Sequence, residues 1–137
     1  MEIYNIETVN EITYKLYAEQ DDMQVRGNAL ASGDDEEDRR CEDEILERLD
    51  SGDVWAWASV KVEAEIDIDG ETFTGEDYLG ACSYVDEKDF MQDGYYDDMK
   101  AQALQDLIET LERTAYRYQA SVTALKAIKN NQLAESK

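Results

Sequence analysis

Along residues 54–67 apolar and polar side chains alternate without a break. Val54, Ala56, Ala58, Val60, Val62, Ala64 and Ile66 fall on one side, and Trp55, Trp57, Ser59, Lys61, Glu63, Glu65 and Asp67 on the other. Strict period two over this length predicts a strand with one buried face. Asp69-Gly70 follows, a favoured two-residue hairpin turn. Residues 72–84 are therefore expected to return as the antiparallel partner, with Phe73, Leu79 and Ala81 turned inward. A plain two-residue turn sets Asp77 opposite Val62, on the apolar side. A β-bulge near Gly75 would restore the alternation and is the expectation.

Residues 11–19 alternate in the same way, with Ile12, Tyr14, Leu16 and Ala18 on one side, and predict another strand, although a short helix fits Ile12 and Leu16 almost as well; residues 21–32, with Gly27, read as a loop. Ser32 then stands three residues before Asp35 in a capping-box spacing, and acids crowd the first turn, where the helix dipole favours them. The helix it opens has Cys41, Ile45 and Leu49 as its buried stripe. Asp35/Arg39, Glu36/Arg40 and Glu44/Arg48 are i,i+4 pairs along it, and Gly52 stops it. Residues 97–130 read as helix throughout. Leu104, Ile108, Leu111, Ala115, Tyr118, Val122 and Leu125 recur at alternating spacings of four and three. Unbroken, that segment runs about 50 Å, so it either breaks at 113–116 or projects beyond the sheet. Its 3.5-residue period suits a second helix packed on the projecting part. The order is β-α-β-β-α. The expected class is α+β, a small antiparallel sheet with helices on one face and a long C-terminal helix.

Charge changes this picture. The chain has 34 acidic and 13 basic residues and no histidine, a net charge of −21 in 137 residues. Self-repulsion of that size opposes a compact state, yet the 42% apolar fraction, nine tyrosines and two tryptophans predict a folded body. The length predicts one domain, residues 1–137, with 113–137 as a basic helical extension. Arg113, Arg117, Lys126, Lys129 and Lys137 against Glu135 give that extension +4, leaving −25 on residues 1–112. Met1 leads into Glu2 and polar residues, unlike a signal peptide, and no apolar run approaches the ~20 residues of a membrane span. A cytoplasmic location is expected. Cys41 and Cys82 form no CxxC pair and read as buried reduced thiols, with a disulfide or a reactive thiol as the alternative.

The chemistry such a composition permits is narrow. Without histidine, a phosphate-binding glycine loop or a nucleophile motif, no catalytic residue stands out, and a non-enzymatic protein is expected. Residues 65–76 imitate a calcium loop in the placing of Glu65, Asp67, Asp69, Gly70 and Glu76. The flanks read as strands, however, and the hairpin accounts for every residue, so no metal and no cofactor is expected. The acidic helix offers more. From 34 to 53 there are eleven acids and three bases. With Ile45 at the centre of the buried face, Glu36, Asp43, Glu47 and Asp50 stand opposite it. Neighbours four apart on a helix lie about 6 Å apart in rise, close to the phosphate spacing of a nucleic-acid strand. Such a row suits the positive groove of a DNA-binding protein, where it displaces bound anions. Glu44 and the hairpin acids Glu63 and Glu65 extend the candidate partner-binding set. Trp55 and Trp57, if the polar side of their strand is solvated, would anchor it; otherwise residues 3–6 or the last helix cover them.

Three segments, GNALASGDDEEDR (27–39), GDVWAW (52–57) and YLGACSY (78–84), resemble a family of small acidic, functionally uncharacterised proteins encoded by phages and prophages. The resemblance spans about residues 10–110 and is most specific in the GDVWAW segment. It supplies no catalytic residue. It implies a phage setting, in which small, very acidic proteins are similar to anti-restriction and anti-CRISPR inhibitors that act as DNA mimics. The expected partner is then a basic host protein such as a nuclease or another DNA-binding defence factor, with no direct nucleic-acid or membrane binding. The alternative is an oligomeric interaction protein whose acidity only keeps it dissolved, assembling through the long helix, as a homodimer in the simplest case.

Overall fold

Four strands form one antiparallel meander in the order β1-β2-β3-β4: β1 (Glu2–Val9), β2 (Ile12–Gln20), β3 (Ala58–Ile68) and β4 (Glu71–Cys82). Helix α1 (Asp35–Asp50) lies between β2 and β3; α2 (Glu87–Gln92) and α3 (Gly94–Glu135) follow β4. The coordinates come from a computed structural model and describe residues 1–135. The α+β class, the antiparallel sheet and the long last helix agree with the sequence pattern.

The register explains the main core. Leu16, Val62 and Asp77 lie side by side across β2, β3 and β4, as do Ala18, Val60 and Leu79. Their face meets α3 through Met99, Ala103 and Leu107, and α2 adds Phe90. Gly75, paired with Ala64, lies directly beneath α3. A Cβ there would stand 2.2 Å from the Leu107 backbone nitrogen and 2.4 Å from the Ala103 carbonyl oxygen. Glycine thus sets how closely helix and strand approach.

Several sequence expectations are corrected. No bulge occurs at Gly75: Asp77 does face Val62, half-buried on the helix side. The bulge lies two positions from the strand's end, between the Val60–Leu79 and Ala58–Cys82 pairs. There Ala81 takes a left-handed φ of +51° and turns to a second core instead of the first. β3 begins at Ala58, because a single 3-10 turn (Val54–Ala56) precedes it. β1 and α2 are additional elements. The turn between β1 and β2 uses Asn10 and Glu11, both at positive φ, with no Asn-Gly signature to announce it.

Helix α1 starts at Asp35 with Asp34, not Ser32, as its N-cap: the Asp34 side chain accepts from the Glu36 and Glu37 amides. Ser32 instead donates its hydroxyl to Asp38, at 2.7 Å. Ile45, with Cys41, Leu46 and Leu49, closes the second core over Val25, Ala56 and Trp57. Helix α3 does not break at 113–116; it runs 42 residues, about 63 Å. Every described residue from 115 onward is exposed, so its second half projects as an arm. Lys137, counted with the basic extension, lies outside the described residues.

Candidate interaction surfaces

Three surfaces carry chemistry: the solvent face of α1, the open face of the sheet and the α3 arm. On α1, burial of Ile45 turns Glu36, Asp43, Glu44, Glu47 and Asp50 to solvent. Glu36, Asp43, Glu47 and Asp50 fall within one narrow stripe at 100° per residue, and Glu44 flanks it. The pattern of ion pairs differs from the i,i+4 expectation. Arg40 pairs with Glu37 at 2.9 Å and Arg48 with Asp53 at 2.8 Å. Arg26, from the loop after β2, bridges Glu42 and Asp43. Glu42 is the one buried acid among the described residues, and it also accepts from the Gly27 amide at 2.6 Å. Arg26 and Gly27 therefore lock the loop onto the helix. Asp43 is thereby paired with a cation. Glu36, Glu44, Glu47 and Asp50 have no cationic partner among the described residues.

The hairpin acids are placed elsewhere. Glu63 and Glu65 lie on the sheet face that α3 leaves open, where Lys15 meets Glu65 at 2.8 Å and Lys61 approaches Glu63 at 3.8 Å. Glu65 raises the Lys15 pKa by accepting its hydrogen bond. The Lys61 ammonium also sits 4.3 Å above the Tyr17 ring. Lysines engage both acids, which lie five and seven residues along β3 from its α1 end, about 16 and 23 Å. These two acids are not part of the α1 ridge.

Nor are the tryptophans. Trp55 is 5% exposed and Trp57 3%. The 3-10 turn rotates Trp55 into the main core, edge-on to Tyr4 at 5.2 Å and beside Phe90 at 5.5 Å. Trp57 enters the second core and donates its Nε1–H to the Met23 carbonyl at 2.8 Å. Both are framework residues, covered by β1, α2 and α1.

Residues 65–76 form the β3–β4 hairpin, with Asp69 and Gly70 both at positive φ in the turn and Asp67 accepting from the Thr72 hydroxyl. Among the described residues no three Asp, Glu or Cys side chains converge as a metal-binding group. Cys82 is half-buried and donates its thiol to the Ala58 carbonyl at 3.3 Å; burial pushes its pKa up to about 11, so it stays protonated. Cys41 is also free.

The arm was visible as a period but not as a surface. From Tyr116 onward its large apolar side chains stand in solvent, Tyr118 at 61% and Leu125 at 64% exposure. At its root a shallow groove runs between the hairpin (Glu71, Thr72, Phe73) and α3 (Thr110, Thr114, Tyr118). No helix among the described residues is long and apolar enough to cross a membrane. No family model, curated protein or solved structure matches this chain.

Proposed function

We propose that this is a non-enzymatic binding protein that presents the carboxylate ridge of α1 to a cationic, nucleic-acid-binding surface of a host protein. The observation that carries this reading is the set Glu36, Glu44, Glu47 and Asp50. All four are exposed on α1 and free of cationic partners among the described residues. They span about 21 Å of helix. With −25 on residues 1–112, the field around them is strongly negative and steers a basic partner into contact. The resemblance to phage-encoded acidic proteins supports a setting in the host cytoplasm and an anti-defence role, with a nuclease or a DNA-binding defence factor as the partner.

Burial of Trp55 and Trp57 sharpens the expectation. Without aromatic anchors the affinity rests on exposed charge, and exposed charge is screened by salt. Capture from host lysate, followed by competition of each captured protein with duplex DNA, tests the reading. Glu36→Gln, Glu44→Gln, Glu47→Gln and Asp50→Asn together are expected to abolish the competition. Raising the salt is expected to weaken it steeply. Competition that survives the four changes, or an affinity flat from low to high salt, overturns the reading.

A further inference from the structure

The main core ends before α3 does. Through Met99, Ala103 and Leu107 the helix is covered by the sheet, and Leu104 and Leu111 pack partly against the same core. The apolar positions then continue as Ala115, Tyr118, Val122 and Leu125 at spacings of three and four, all of them exposed, with Tyr118 beside the hairpin at the root of the arm. Counted from Leu104 the stripe lasts three heptads, with Ile108, Ala115 and Val122 at the a positions and Leu104, Leu111, Tyr118 and Leu125 at the d positions. An apolar stripe of this length on a projecting helix marks a contact surface.

Charge decides which helix fits it and in which direction. The arm is the basic part of the molecule, and all the rest is acidic: +4 on residues 113–137 against −25 on residues 1–112. We propose that the arm pairs with the same arm of a second copy, antiparallel and centred near residue 120. This inference does not depend on the α1 reading. In that register Tyr118 meets the second copy's Val122 and Ala115 its Leu125, so large side chains oppose smaller ones on both sides of the two-fold axis. Lys126 and Lys129 come alongside the second copy's Thr114 and Leu111. There they neighbour Glu112 and the hairpin bearing Glu71, which lies against the root of the arm. The basic end of each copy thus meets the acidic body of the other. A parallel pair would bring two bodies of −25 together at one end and set Lys129 against Lys129. The antiparallel pair instead points the two sheets in opposite directions and keeps the two Lys129 residues about 27 Å apart along the helices.

Sedimentation equilibrium of the full chain over a hundred-fold range of concentration is expected to show a mass of two copies. Val122→Lys with Leu125→Lys, both at exposed sites, is expected to give a monomer with unchanged circular dichroism. Lys126→Glu with Lys129→Glu is expected to weaken the dimer by about tenfold. Orientation is read by spin labels placed one at a time at Ser121→Cys and Asn131→Cys, with Cys41 and Cys82 replaced by alanine. Labels at 121 should lie close together, on helices about 8–10 Å apart. Labels at 131 should be separated by about 33 Å. A monomer at every concentration, a dimer indifferent to the Val122 and Leu125 changes, or short distances at both label sites would each overturn the proposal. Any of these results leaves the competition experiment on α1 to succeed or fail by itself.

Discussion

Trp55 and Trp57 stand two residues apart, yet they enter different cores and lean on different forces. The Trp57 indole N–H is satisfied by the Met23 carbonyl. The Trp55 N–H is buried without a hydrogen-bond partner among the described residues, and the indole is held by ring contacts with Tyr4 and Phe90. Replacing an unpartnered donor removes a desolvation cost, whereas removing a partnered one leaves a carbonyl unsatisfied. Trp57→Phe is therefore expected to destabilise the fold by about 1 kcal/mol more than Trp55→Phe, measured by urea unfolding. Glu7 acts at the same scale. Its carboxylate accepts from Lys100 at 2.8 Å and from the Tyr96 hydroxyl at 3.1 Å, tying β1 to α3. The Lys100 hydrogen bond holds Glu7 below its ordinary value of 4.5. A carboxyl lowered in the fold contributes stability that is full above its unfolded pKa and is lost as pH falls through the folded one. Glu7→Gln should thus reduce stability at neutral pH and flatten its decline below about pH 4.5, as followed by urea midpoints across that range.

At the scale of elements, the seating of α3 depends on one missing side chain and one carboxylate. Gly75 leaves room for the helix backbone, and Asp106 on that helix accepts from the neighbouring Glu76 amide at 2.9 Å, satisfying a donor on the edge strand. Gly75→Ala drives a methyl into main-chain atoms that cannot rotate away. A loss of about 3 kcal/mol or more is expected, whereas Gly80→Ala, with only the Asp21 side chain at 3.4 Å, should cost far less. Thermal unfolding of the two variants checks the contrast. The same strand shows where pattern reading stops. Asp77 on the apolar side looked like a register error, but a carboxylate near the margin of a sheet is tolerated half-buried. The irregularity went instead to Gly80 and Ala81, where the chain turns to serve two cores. β1 was hidden for a related reason: its register shifts between Ile3 and Asn5, which breaks the alternation that would reveal it. α2 is too short to show a period at all.

Across the whole molecule, what periodicity encodes was legible: β2, the β3–β4 hairpin, α1 and α3, and with them the fold class. Of the candidate partner-binding residues, Glu36, Glu44, Glu47 and Asp50 emerge as a free ridge, because a helix face can be computed from spacing alone. Asp43, Glu63, Glu65, Trp55 and Trp57 are engaged by Arg26, Lys61, Lys15 and the two cores. Those engagements join residues far apart in the chain, and one sequence contains no signal for them. The arm has a mechanical consequence as well. It contains neither glycine nor proline after Gly94, so no break in its backbone interrupts the 31 Å or so from the sheet edge to residue 135. It works as a stiff ruler. Deleting four residues within it would draw whatever sits at its tip about 6 Å closer to the sheet and swing it by about 40°, while deleting a full heptad would shorten the reach and nearly preserve the bearing.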